Sequence, residues 1–249
     1  MNADLGWAEE TVLGGVTLEI PANALTMICG RLGQGKSTLL QALLGESDLL
    51  RGEQHLPLLA QRVAYVSQDI WLQEKRSIRE NIVFATGEYD EVRYLTALRA
   101  CALLEDIDGL QQGDATITSA LSGGQRQRVA VARAIYSNAE AYIFDDITSA
   151  LDAETAAHMW RSLMGPAGLL KEKTVVMATN AVHLLHHAKL IVRLDAGKIA
   201  EHGRYEELSM KGKDSISRAS VDSNRNMPAA DQAQDNTVKS GATEKHEAV

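Results

Sequence analysis

Leu25-Thr26-Met27-Ile28-Cys29-Gly30-Arg31-Leu32-Gly33-Gln34-Gly35-Lys36-Ser37-Thr38 is the stretch that decides the fold. Leu25 to Cys29 form a short apolar run, as expected of a strand buried on both faces. Gly30 to Ser37 then match GxxxxGK(S/T), and a helix is expected to begin near Lys36. In that setting the glycine-rich link is a phosphate cradle. Three glycines let backbone N–H groups turn inward, and the helix start adds partial positive charge. Lys36 reaches the β and γ phosphates, and Ser37 can ligate Mg²⁺. A bare turn would not need this arrangement between a strand and a helix.

Working outward, strand-like and helix-like patterns alternate. Val16, Leu18 and Ile20 alternate with Thr17 and Glu19 and are expected to form a strand, and Pro21-Ala22-Asn23 turns the chain into the Leu25 run. Val63–Ser67, Ala141–Asp145, Thr174–Thr179 and Lys189–Leu194 are further buried-strand candidates. Ser77 with Glu80 forms a capping-box start, Ser122 is placed to cap a helix reaching about Ser137, and Asp152 to cap one toward Met164. This order implies an α/β fold with a mainly parallel sheet, and the 69–120 interval, mostly helical, has the look of an insertion.

Composition sets outer bounds. The chain has 249 residues, 25 Lys plus Arg and 33 Asp plus Glu, a formal charge of −8. The six basic and six acidic residues after Ser209 cancel, so residues 1–208 carry that excess. From Ser209 to Val249 there is no Leu, Phe, Tyr or Trp. That segment is expected to be a disordered linker or tail, and residues 1–208 a domain. Acidity without a dense basic run argues against nucleic acid as a partner. No apolar run approaches the roughly 18 residues needed to span a bilayer, and two cysteines, Cys29 and Cys101, are too few for a disulfide framework. A reducing, cytosolic environment follows as the expectation.

Tyr142-Ile143-Phe144-Asp145 reads as an apolar strand ending in a carboxylate, followed by Asp146. Beside a phosphate loop, Asp145 is a candidate for the Mg²⁺ shell and Asp146 for the group facing an attacking water. Leu121-Ser122-Gly123-Gly124-Gln125 supplies a second anion cradle at a helix start. That string, in this order with the others, resembles the signature of ATP-binding cassette (ABC) nucleotide-binding domains. Val63-Ala64-Tyr65-Val66-Ser67-Gln68, Ile78-Arg79-Glu80-Asn81-Ile82, Gly124-Gln125-Arg126-Gln127-Arg128-Val129 and Asp145-Asp146 narrow the resemblance to the first nucleotide-binding domain of ABCC (multidrug-resistance-associated) transporters, especially fungal-type members, over about Trp7 to Leu208.

The resemblance implies a P-loop ATPase core with an antiparallel β-subdomain, truncated at its amino terminus because little chain precedes Trp7, and a helical subdomain at roughly 69–135. It implies ATP and Mg²⁺ as cofactors, a second nucleotide-binding domain as head-to-tail partner, and transmembrane domains in cis or trans. The expected place is the cytoplasmic face of a membrane. Gly30, Arg31, Leu32, Gly33, Gln34, Gly35, Lys36, Ser37 and Thr38 would hold ATP and Trp7 would stack on adenine. Ser37, Gln68 and Asp145 would organise Mg²⁺. Leu121 to Gln125 would serve the partner's ATP, and Ser149, Ala150, Leu151 and Asp152 occupy the D-loop positions.

Asp146 stands where a hydrolytic site has Glu, a substitution that the first domain of this subgroup often shows, and Asn180 departs from the family, which has there a His that orients the water, so the resemblance implies an own site that hydrolyses slowly. The loop from Gly113 to the signature is also short for the subgroup. A different class of reading, a soluble ABC-like module in which ATP joins interfaces, fits the same two substitutions. His183 and His187 have the i, i+4 spacing of a helical metal pair, but no acid or cysteine completes it, and a solvated helix face is expected.

Overall fold

The computed structural model describes residues 2–8, 10–56, 61–84 and 86–210. Residues 211–249, on which the expected tail mostly falls, lie outside the described residues. Nine strands are described: β1 (Asn2–Trp7), β2 (Glu10–Thr17), β3 (Leu25–Cys29), β4 (Asp48–Glu53), β5 (Val63–Val66), β6 (Ala141–Asp145), β7 (Thr174–Ala178), β8 (Leu190–Asp195) and β9 (Lys198–Gly203). The helices are α1 (Lys36–Leu43), α2 (Ile78–Ile82), α3 (Glu91–Ala100), α4 (Leu104–Gly109), α5 (Gly123–Tyr136), α6 (Ala153–Met164) and α7 (Tyr205–Met210).

The strands make two sheets. A six-stranded sheet runs β5-β6-β7-β3-β8-β9, parallel except for β9, which returns antiparallel to β8. A second, antiparallel sheet runs β2-β1-β4. Alternation along the central strands sorts side chains into two cores. Met27, Cys29, Phe144 and Met177 join the helix side with α3, α5 and α6. Ile28, Ile143, Val176 and Val192 join Leu39 and Leu40 of α1 and Leu5, Leu13 and Val16 of the small sheet. The large sheet is therefore covered on both faces, which is why its strands read as continuous apolar runs.

Three expectations change. A strand does precede and include Trp7: β1 is the middle strand of the small sheet, with Ala3 and Leu5 buried. The strand expected over Val16–Ile20 instead spans Glu10–Thr17. Thr17 pairs with Asn2 of β1, and Leu18, just beyond β2, is buried in the core. The boundary expected after Leu208 falls inside α7, which anchors through buried Leu208 and runs to Met210.

The helix starts follow local chemistry. Ser77 and Glu80 form a reciprocal capping box on α2, and Asp152 caps α6 by accepting from the Thr155 N–H at 2.9 Å. The short loop before α5 folds into two single 3₁₀ turns, Gly113–Ala115 and Thr118–Ala120. It is pinned where the Thr118 N–H donates to Arg76 O and the Ile78 N–H to Thr116 O, both at 3.0 Å.

Candidate functional site: two helix starts and a carboxylate pair

Strand β3 delivers Gly30 to the end of the sheet, where the chain must pass hard against β8. Gly30 has φ +152°, and a Cβ there would lie 2.6 Å from Leu194 O, so only glycine fits. Gly35 has φ +91° beneath Leu13 of β2, and it ends the loop without giving α1 a side-chain cap. No acidic residue lies in the first turn of α1. Its leading N–H groups are thus left to an anion. Ser37, Thr38 and Gln34 are half-buried, whereas Arg31, Leu32 and Gly33 form the exposed lip of the loop.

Lys36 is 9% exposed, and its Nζ donates to Gly30 O at 2.7 Å and Arg31 O at 3.1 Å, so the amine lies along the loop it would serve. Burial lowers its pKa, while Asp146 and Asp145 pull it upward. Burial also raises the pKa of Asp146; Lys36 opposes this, Asp145 adds to it, and the hydrogen bond from Asn180 opposes it. Lysine and aspartate are both displaced toward neutrality because lost hydration outweighs their attraction.

Asp145 and Asp146 are both buried, at 3% and 9% exposure, where β6 leaves the centre of the sheet. Asp146 has φ +50°, a conformation aspartate adopts more readily than most residues. Several bonds hold it there. Its N–H donates to Ala178 O at 3.0 Å, and its carbonyl accepts from Gln127 Nε2 at 3.2 Å and Ser149 Oγ at 3.0 Å. Its carboxylate Oδ2 accepts from Asn180 Nδ2 at 3.1 Å. Asp146 and Asn180, the two positions expected to face an attacking water, therefore touch. Gln127 was not among the sequence candidates; a glutamine sharing the apolar face of α5 with Ala130 and Val131 is the signal that pointed to it.

The second helix start is finished differently. Ser122 Oγ accepts from the Gln125 N–H at 3.3 Å, and Gln125 Oε1 accepts from the Ser122 N–H at 3.0 Å, a complete capping box on α5. Leu121 is buried while Ser122 and Gly123 are exposed. A Cβ on Gly124 would lie 3.1 Å from Ala150 O and 3.6 Å from Leu151 Cδ2, so the turn abuts the Ser149–Asp152 segment, of which Ser149, Ala150 and Asp152 are exposed.

Trp7 ends β1 opposite Glu10, 38% exposed, at the tip of the hairpin whose Leu13 packs on Gly35. Gln68 is exposed just beyond β5, the edge strand next to β6. The histidines occupy a 3₁₀ segment, Val182–His187, rather than an α-helix. With three residues per turn, His183 and His187 do not share a face, which removes the premise of an i, i+4 pair. His187 stacks instead near Trp160, with ring centroids 5.3 Å apart. Among the described residues no group of three or more His, Cys, Asp or Glu is placed to hold a metal ion.

A mainly parallel sheet, a glycine loop running from β3 into an uncapped helix start, and a carboxylate pair ending β6, with β7 between β6 and β3, define a P-loop nucleoside-triphosphate-binding domain. The chain belongs to the ABC transporter family, whose profile matches residues 13–149. It is 40% identical over 216 residues to ABC transporter C family member 3 of Dictyostelium discoideum, covering 83% of this chain and 15% of that protein. It is 44% identical over 193 residues to ATP-binding cassette transporter abc1 of Schizosaccharomyces pombe, covering 74% and 13%. To ATP-binding cassette sub-family C member 2 of Homo sapiens it is 41% identical over 206 residues, covering 81% and 13%. The chain thus spans 13 to 15% of the length of these curated relatives. Domains of this family bind ATP with Mg²⁺ and are generally ATPases. No helix among the described residues is long and apolar enough to cross a membrane.

Proposed function

We propose that this chain is the ATP-binding domain of an ABCC-type exporter, working head to tail with a second nucleotide-binding domain and with transmembrane domains at the cytoplasmic face of a membrane. The observation that carries the reading is the α1 start: uncapped, free of acid in its first turn, and faced by a buried lysine. The residues fit a bound triphosphate. Gly30 to Thr38 would wrap the phosphates and Trp7 would stack on adenine. Ser37, Gln68 and Asp145 would hold Mg²⁺, which when bound supplies charge neutralisation between the β and γ phosphates. Ser122 to Gln125, with the Ser149–Asp152 segment alongside, would face ATP held by the partner.

The own site is a weak hydrolase in this reading. Asp146 is a methylene shorter than Glu, and its Oδ2 already accepts a hydrogen bond from Asn180. Asn180 is neutral and uses one amide hydrogen on that contact, so it orients a water poorly and adds no positive charge toward the γ phosphate. Removing one pre-aimed transition-state donor costs about 10² to 10³ in rate. Titration calorimetry of the purified chain with MgATP tests the assignment: binding that disappears in Lys36→Ala, with turnover far below that of an unaltered ABC site, is expected. Absence of nucleotide binding would overturn it, and fast turnover lost in Asp146→Asn would overturn the weak-site part.

A further inference from the structure

We propose that Asp106, on α4, is a positioning residue that sets how the second cradle presents Ser122. Asp106 Oδ1 accepts from Gln125 Nε2 at 2.7 Å, and its other oxygen accepts from Arg128, which also donates to Ala102 O at the left-handed turn between α3 and α4. An ionised carboxylate only accepts, so it selects the NH₂ end of the Gln125 amide. The carbonyl end is then left for the Ser122 N–H, and it accepts from that group at 3.0 Å. With the box closed, Ser122 Oγ accepts from the Gln125 N–H, and the hydroxyl's own hydrogen is left to donate outward. Reversing the amide would aim NH₂ at the Ser122 N–H and a carbonyl at a carboxylate. Asp106 therefore dictates the polarity of the whole cap, and Arg128, three residues after Gln125 on α5, balances its charge. Sequence spacing hides the link, because Asp106 lies 19 residues before Gln125.

The inference rests on the reading that Ser122 to Gln125 serve a neighbouring domain's ATP, and its test separates the two. Hydrogen exchange at the Ser122 and Gln125 amides, measured on the full chain, reads the cap itself; MgATP-driven self-association, by sedimentation, reads its use. In Asp106→Asn one oxygen cannot serve both Gln125 and Arg128, and both amides are expected to exchange at least about tenfold faster, with association weakened by a similar factor, as for loss of a hydrogen bond to a charged group. MgATP binding at Lys36 should be unchanged, which also reports that the variant is folded. Gln125→Glu alone, which sets two carboxylates together, should behave likewise. Combining Gln125→Glu with Asp106→Asn reverses donor and acceptor across the same contact and should restore protection and association. A double variant no better than either single one, or unaltered exchange in Asp106→Asn, would overturn the role of Asp106. A wild-type chain that binds MgATP and never self-associates would count against the head-to-tail reading, while the exchange result would still decide the role of Asp106.

Discussion

The starts of α1 and α5 are both glycine-lined helix N-termini, yet they are built in opposite ways. α1 has Gly35 at its cap and no side chain satisfying its first N–H groups, whereas α5 is closed by the Ser122–Gln125 box before any ligand arrives. Lys36 lies folded on its loop carbonyls, while Ser122 keeps a hydroxyl hydrogen available at the surface. The contrast teaches that one cradle is completed by what it binds and the other is preformed. In the proposed reading, preformed geometry suits a surface that must fit a nucleotide already held by a partner, and an open start suits the loop that captures one.

The contrast can be broken most severely at Lys36. Lys36→Ala should lower MgATP affinity at least about 100-fold, from the loss of a charge-assisted phosphate contact, while Ser122→Ala leaves affinity nearly unchanged; calorimetry on both decides whether capture belongs to α1 alone. Next in size, Asp146→Glu combined with Asn180→His should raise turnover about tenfold or more in a steady-state phosphate-release assay. No gain would mean that these two positions do not limit the site.

Stability sharpens the comparison further. The carboxyl of Asp146 sits above its usual pKa of 3.8, so its stabilising contribution is complete below that value and is lost as pH rises through the higher folded value. Asp146→Asn should therefore melt higher than wild type at pH 7, with the gap closing toward pH 4, and asparagine tolerates the left-handed backbone at this position. Ser122→Ala removes the α5 cap and should cost about 1 kcal/mol in denaturant unfolding. The smallest effect is expected for Gly124→Ala. A gain in helix propensity of up to about 1 kcal/mol is offset by a methyl pressed against Ala150 O, leaving stability close to wild type.

How much was legible follows from the range of each interaction. β3 and β6 have the limits their apolar runs suggested, since both are buried on two faces and bounded by polar or turn residues. Ser77, Ser122 and Asp152 were readable as caps because a cap is settled within three residues. β1, β4 and β9 escaped notice: they lie outside the parallel core, and the exposed, polar residues of β4 and β9 leave little period to follow. The contacts that organise the site were hidden for another reason. Gln127 to Asp146, Asn180 to Asp146 and Gln125 to Asp106 join residues 19 to 34 positions apart, and no local pattern encodes such pairs. The residue types at both glycine cradles could be quoted from the chain, but the open build of one and the closed build of the other required the hydrogen bonds.

One contact reaches beyond its own neighbourhood. Because a Cβ on Gly124 would already lie 3.1 Å from the Ala150 carbonyl, the beginning of α5 and the strip ahead of α6 lie against one another. A subunit pressing on either would displace both, so this edge would report contact as a unit rather than as two independent fingers.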